Sequence, residues 1–117
     1  MKSNNPAGDG RDAAWRVALR DAMPAKERTA IPRVKMPELP PEVRVTNFEE
    51  VNRGLTPEQA LTESTRCLDC PDPQCVTGCP VAIDIPGFIK NIQRGDLPEA
   101  AHVLRLTSAL PAVCGRV

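Results

Sequence analysis

The segment from Cys67 to Pro80 reads CLDCPDPQCVTGCP, a C-x2-C-x4-C-x3-C-P spacing that puts four thiols within thirteen residues. A loop that gathers thiolates on one small volume suits a soft, thiophilic centre. Within the C-x2-C turn, both sulfurs aim inward and neighbouring backbone N–H groups can point at them. Pro71 and Pro73 stiffen the following loop, and Gly78 allows a close backbone approach without a Cβ. Pro80 ends the turn.

The rest of the chain supplies only a thin core. There are 117 residues, enough for one domain, with only Trp15, Phe48 and Phe88 as aromatics and thirteen prolines. A chain this thin in large apolar side chains needs a staple such as a disulfide, a metal or a partner. The polar start Met1-Lys2-Ser3-Asn4-Asn5 is followed by no apolar stretch, so no signal peptide is expected, and no run is long enough to span a membrane. A cytoplasmic setting follows, where thiols stay reduced and clustered cysteines bind metal more often than they pair. Fifteen basic and fifteen acidic side chains balance to zero, which gives no support for nucleic-acid or membrane-surface binding.

The chain reads as all-α, short helices joined by irregular loops. Residues 1–9 are polar and expected to be disordered. Residues 10–23 predict a helix burying Ala14, Val17, Ala18, Leu19 and Ala22, with Trp15 in ordinary packing beside them. Pro24, Pro32, Pro37, Pro40 and Pro41 make residues 24–46 an extended, polyproline-like arm, a linker or a wrap around a neighbour. Thr46 and Glu49 stand at capping-box spacing and predict one helical turn before Gly54.

Thr56, Pro57 and Gln59 are a stronger start for a helix that runs to about Arg66, with Ala60, Leu61 and Ser64 inward, and delivers the chain to Cys67. Asp84 and Asp96 each cap a further helix with Pro86 or Pro98 in its first turn. The first turns Phe88, Ile89 and Ile92 inward and stops at Gly95. The second carries Ala100, Val103, Leu104 and Leu106. Pro111 opens a last short segment. The organisation is an N-terminal helix and proline-rich arm over 1–45, then a cysteine-bearing helical domain over 46–117.

Two readings of the cysteines compete. A final cysteine followed by proline, as in Cys79-Pro80, is a feature of two-cluster ferredoxin runs, where that last cysteine serves the other cluster. The x4 gap makes this a variant of that pattern. On this reading Cys67, Cys70 and Cys75 bind one cubane cluster and Cys79 reaches toward a second. The alternative is a structural zinc site, or a metal-free helical interaction module. Zinc sites of four cysteines usually have two C-x2-C knuckles, and only one is present; His102, the sole histidine, falls on a helix far from the cysteines and reads as solvent-facing.

Two four-ligand clusters need about eight ligands, more than the five cysteines, Cys114 included, can supply. The chain stops at Gly115-Arg116-Val117 with no helix stop or polar tail, which suggests a cut before the last ligands. Asp69 and Asp72, inside the cysteine loop, are expected to be solvated like most loop carboxylates. Gly8, Gly10 and Ala13 fit a dinucleotide fingerprint, but no hydrophobic strand precedes them, so that signal is set aside.

Three stretches, NFEEVNRGLTPEQALTESTRCLDC (47–70), CPVAIDIPGFIKNIQRGD (79–96) and ALPAVCGRV (109–117), resemble one known domain. It is the N-terminal iron–sulfur domain of the NADPH-dependent glutamate synthase small (beta) subunit family. Dihydropyrimidine dehydrogenase and related ferredoxin:NADP oxidoreductases share it. The resemblance covers the chain from about Met36 and leaves residues 1–35 outside. It implies an α-helical ferredoxin-like fold, here truncated, that in the parent holds two 4Fe-4S clusters. By position, Cys67, Cys70 and Cys75 resemble ligands of the first cluster and Cys79 a ligand of the second. Cys114 matches the first cysteine of a CGRVCP-type motif, which in the dehydrogenase is not a ligand.

The resemblance also implies a parent oxidoreductase in which NADPH reduces FAD on downstream domains of the same polypeptide. Electrons then pass through the clusters to the glutamate synthase large subunit or another acceptor. The domain by itself would carry electrons and not catalyse.

Overall fold

The computed structural model describes residues 10–116. The stretch expected to be disordered, 1–9, lies outside them, as does Gly8 of the discounted fingerprint. Among the described residues the fold is all-α, with eight short helices. These are α1 (Ala14–Asp21), α2 (Ala25–Ala30), α3 (Pro41–Arg44), α4 (Pro57–Thr65), α5 (Gln74–Gly78), α6 (Ile85–Gln93), α7 (Leu97–Arg105) and α8 (Pro111–Cys114). None is long and apolar enough to cross a membrane.

The start signals around the cysteines work as their chemistry demands. In α4 the Gln59 N–H donates to Thr56 Oγ1 at 3.2 Å, and the Thr56 N–H donates to Gln59 Oε1 at 2.9 Å. This reciprocal pair satisfies two N–H groups that a helix start would leave open. Asp84 accepts from the Gly87 N–H at 3.0 Å and Asp96 from the Glu99 N–H at 3.1 Å, fixing the starts of α6 and α7. Pro57, Pro86 and Pro98 sit in first turns, where a missing N–H does no harm. Gly95, at φ 84°, reverses the chain between α6 and α7.

The N-terminal third differs from the sequence reading. The helix expected over 10–23 is confined to α1. The arm expected to be extended contains α2 and α3, because Pro24 and Pro40 serve as N-caps and Pro41 as a first-turn residue. Proline opens helices here as readily as it closes them. The arm is also tied down: the Leu39 N–H donates to the Val51 carbonyl at 2.9 Å and the Arg53 N–H to the Pro37 carbonyl at 2.8 Å, around an isolated Glu38–Asn52 bridge. The turn expected from Thr46 to Gly54 is not helical. Asn47 Oδ1 takes the Glu49 N–H at 3.0 Å, and the Glu49 carboxylate pairs with Arg53, so no capping box forms.

α6 packs against both α4 and α7. The apolar interior is small: Ile83, Ala100 and Val103 are its buried hydrophobic members. Ala100 and Val103 lie inward as expected and Leu106 is 42% exposed, while on α4 Ser64 is buried and Leu61 is 47% exposed. Arg16, Arg28, Ser64, Asp69, Lys90, Asn91 and Ser108 are also buried, so polar side chains outnumber apolar ones inside. On α6 it is Lys90 and Asn91 that are most enclosed, while Phe88, Ile89 and Ile92 are half-buried. The molecule measures 50 × 33 × 24 Å with a radius of gyration of 15.8 Å, above the roughly 13 Å of a compact domain this size.

α1 docks by its arginines and not by its alanines. Ala14, Ala18 and Ala22 are exposed, and Arg16 is buried. Arg16 and Arg20 are one helical turn apart and share a face. Arg16 grips both carboxylate oxygens of Asp69, at 2.6 Å from Nη2 and at 3.0 and 3.1 Å from Nε, and Arg20 Nη1 donates to Oδ2 at 2.6 Å. Asp69 is fully buried, against the expectation of a solvated carboxylate; Asp72 is exposed as expected. Arg28 makes a second tie, donating to the Met23 carbonyl at 3.1 Å, the Thr65 carbonyl at 2.7 Å and the Leu19 carbonyl. Trp15 is half-buried, with the Arg94 guanidinium 4.1 Å from its ring centroid.

Burial pushes the Asp69 carboxyl up, but the hydrogen bonds and charge of Arg16 and Arg20 outweigh it and hold it below the usual carboxylate range. A depressed carboxyl contributes stability that is complete above its unfolded value and lost as pH falls through the folded one.

Two outcomes follow from these contacts. A Cβ at Gly95 would meet open space but sit at φ 84°. Gly95→Ala is therefore expected to lower unfolding stability by about 1 kcal/mol in urea titration, while Gly78→Ala, also facing open space and without positive φ, changes little. Asp69→Asn is expected to lose about 3 kcal/mol near neutral pH. The unfolding midpoint of the unsubstituted chain, followed by circular dichroism, falls as pH drops below about 4, and the variant loses less over that range.

Candidate functional site

α4 hands the chain directly to the first cysteine, whose N–H donates to the Ser64 carbonyl at 3.2 Å. Two residues on, Asp69 adopts the left-handed conformation at φ 54°, which aspartate tolerates better than most residues. The reversal brings the Asp69 N–H near the Cys67 sulfur, where it pulls that thiol's pKa down. Lys90 of α6, fully enclosed, donates from Nζ to the Cys67 carbonyl at 2.9 Å and to Gln93 Oε1 at 2.8 Å. The C-x2-C turn thus sits between α1 on one side and α6 on the other.

After Cys70 the chain passes Pro71 and Pro73 and enters α5, which the sequence did not announce. Cys75 lies within α5 and Cys79 caps its end. The backbone then folds back at Cys79: the Ala82 N–H donates to the Cys79 carbonyl at 3.0 Å, and the N–H groups of Ile83 and Val81 come near its sulfur. Ala82 is left-handed, at φ 51°. Among the described residues, Asp69 and Ala82 are the non-glycine residues with positive φ, and both follow a site cysteine closely. Strain of this kind collects where the surroundings dictate an unusual backbone for a purpose.

Electrostatics separate the thiols. Burial pushes the Cys67 thiol up, more than the Asp69 N–H and the Lys90 ammonium pull it down, and the Asp69 carboxylate and Cys75 add to the rise. The N–H groups of Ile83 and Val81 hold the Cys79 thiol below its ordinary value. Burial lowers the Lys90 ammonium, which the neighbouring Cys67 partly restores.

Cys67 and Cys79 are half-buried, and Cys70, Cys75 and Cys114 are exposed; all five thiols are free. Cys114 is carried on α8 and His102 is exposed on α7. Among the described residues, no three Cys, His, Asp or Glu side chains meet as a ready-made metal shell.

The residues fit a thiolate-bound cluster in two respects. The donors are soft sulfurs, and nearby backbone N–H groups pull two of the thiols down, as such groups do in iron–sulfur centres. The second respect is charge. Among the described residues the buried ionic groups are Arg16, Arg28 and Lys90 against Asp69 alone. An interior with spare positive charge beside a cysteine turn suits an anionic occupant, since buried charge requires compensation.

The cysteines were legible as a site, but their supports were not. Arg16 and Arg20 stand at a visible one-turn spacing, yet their partner lies 53 and 49 residues away. Nothing local marks Lys90.

Comparison with known proteins agrees with the site chemistry. Residues 44–117 match the family described as dihydropyrimidine dehydrogenase domain II, 4Fe-4S cluster. The chain is 37% identical over 111 residues to a protein of Escherichia coli named as an oxidoreductase, UacF, covering 92% of this chain and 17% of that protein. It is 39% identical over 85 residues to the Escherichia coli glutamate synthase (NADPH) small chain, covering 73% and 18%. It is 41% identical over 70 residues to the PreT subunit of an NAD-dependent dihydropyrimidine dehydrogenase from Salmonella typhimurium, covering 60% and 17%. The chain therefore spans less than a fifth of the length of these relatives. A match as long as the first must also include α1, so similarity reaches further toward the N-terminus than the resemblance from about Met36. This chain belongs to the family of the dihydropyrimidine dehydrogenase 4Fe-4S domain, whose relatives include the small chain of glutamate synthase.

Proposed function

We propose that this chain is the cluster-bearing, electron-relay part of an NADPH- and FAD-dependent oxidoreductase, of the glutamate synthase small-subunit type. The observation that carries the reading is the four-cysteine segment lying inside the matched 4Fe-4S domain. Residues from about 46 onward form the cluster-binding unit, and residues before them brace it. Cys67, Cys70 and Cys75 hold the first 4Fe-4S cluster and Cys79 contributes to a second. Cys114 stays outside the ligand set. When bound, such clusters accept and release single electrons.

The chain's own residues then have defined tasks. The Asp69 N–H, and those of Val81 and Ile83, stabilise charge on the sulfurs of Cys67 and Cys79. Lys90 and the arginines of α1 offset negative charge at the site. α4 and α6 shield Cys67 from water, which leaves Cys70 and Cys75 on the open side, where a donor or acceptor can approach.

FAD and NADPH would bind on further domains of the same polypeptide, and the acceptor would be a glutamate synthase large subunit or its counterpart. Val45, Phe48 and Leu110 are strongly exposed apolar residues that such neighbours would cover. The setting would be cytoplasmic, where thiols stay reduced.

Iron, acid-labile sulfide and zinc measured on oxygen-free preparations of this chain and of the full polypeptide that carries it test the reading. Iron with matching sulfide is expected in the full polypeptide. One zinc per chain with no sulfide in either would sink it in favour of a structural zinc module. In the full polypeptide, Cys70→Ser is expected to abolish electron delivery to the acceptor while NADPH still reduces the flavin.

A further inference from the structure

We infer that α1 is a positioning element for the cysteine site: its arginines set the C-x2-C turn in its ligand-receiving form in advance of metal. The inference rests on the cluster reading above and adds to it a role for residues outside the matched segment 44–117.

Four cationic side chains converge on the stretch from Cys67 to Asp69. Lys90 Nζ takes the Cys67 carbonyl at 2.9 Å, and Arg11 Nε takes the Asp69 carbonyl at 2.9 Å. Arg16 and Arg20 take the Asp69 carboxylate, and Arg20 also donates to the Arg11 carbonyl at 2.6 Å, joining the three arginines in one unit. In a trans peptide the N–H points opposite to the C=O of the same plane, and no cis bond occurs among the described residues. Anchoring the Cys67 and Asp69 carbonyls on cations therefore turns the N–H groups of Leu68 and Cys70 away from those cations. The N–H between them, that of Asp69, is left on the side of the Cys67 sulfur, where it pulls that thiol's pKa down.

The left-handed Asp69 makes this alternation possible, and such a conformation persists only where its surroundings over-determine it. The surroundings here are protein side chains. Arg16 approaches as a planar fork, which fixes the direction of the carboxylate as well as its charge. Dependence runs both ways. On α1, Ala14, Ala18 and Ala22 are exposed and Trp15, Val17 and Leu19 only half-buried, while Arg16 is buried, so the turn is part of its seat.

The test uses the 117-residue chain, metal-free and without oxygen, as itself, as Arg16→Gln/Arg20→Gln, as Arg16→Lys, and as Val103→Ala. The last lowers stability from the α6–α7 core, away from the turn. Amide hydrogen exchange is followed by NMR across residues 67–70. Protection of the Asp69 amide is expected in the unsubstituted chain and in Val103→Ala. In the double variant it should fall by about tenfold or more relative to Val103→Ala at equal folded fraction, with Arg16→Lys in between. Fast exchange at Asp69 in the unsubstituted chain, or equal loss in Val103→Ala, would overturn the inference.

Iron and sulfide uptake from ferrous iron and sulfide supplies the second readout. Slower uptake in the double variant than in Val103→Ala supports a positioning role, and equal rates overturn it. If the unsubstituted chain and the full polypeptide both take up no iron with sulfide, the cluster reading fails. The exchange result then still decides whether α1 presets the turn. Should the double variant fail to fold, Arg16→Lys against Val103→Ala decides the question on both readouts.

Discussion

The fully buried Asp69 carboxylate, held between Arg16 and Arg20, is the interaction on which the rest of the molecule hangs. It joins the first helix to a loop about fifty residues later, and it does so where the chain has few apolar side chains to spend. An ion pair of this kind adds little stability over a well-packed apolar contact, because both charges lose their water. It does impose direction. A carboxylate gripped by a guanidinium fork can sit in one orientation only, and with it the backbone of the turn that carries it. In a chain whose hydrophobic interior comes down to Ile83, Ala100 and Val103, direction is what a small core cannot supply.

The same contacts shape the site electrically. Buried Arg16 and Lys90, with the partly buried Arg20, hold a turn rich in thiols, and among the described residues Asp69 is the one buried carboxylate. The Lys90 ammonium offsets part of the cost that burial places on anionic sulfur at Cys67, whose thiol stays above its ordinary value, while at Cys79 the anion is favoured. The two sulfurs with N–H groups nearby, those of Cys67 and Cys79, lie close to Asp69 and Ala82, the left-handed non-glycine residues among those described. Backbone strain and sulfur solvation are thus two faces of one feature: the chain accepts an unfavourable φ so that its amides can face a sulfur. Cys70 and Cys75 remain toward solvent, which gives the site an enclosed side and an open one.

Helix starts were legible because their determinants are local. Thr56 with Gln59, Asp84 with Gly87 and Asp96 with Glu99 each bond within three residues, so pattern and structure coincide. The same logic misled at Thr46, where Asn47 competed for the Glu49 N–H. It also misled in the arm, where prolines read as helix breakers act as helix openers. The face of α1 was misread for a different reason. Periodicity assigns apolar residues inward, but here the partner surface is a carboxylate, so the arginine face docks and the alanines stay out.

The sequence by itself determined the all-α class, the helix starts that bracket the site and the chemistry of the cysteine loop, since caps, proline positions and thiol spacing act over a few residues. Tertiary structure alone decided that Asp69 is buried, that α1 serves the turn and that Lys90 reaches the Cys67 carbonyl. These contacts span 23 to 53 residues of chain. A charged side chain looks the same in sequence whether it meets water or a buried partner, and only folding brings that partner within reach.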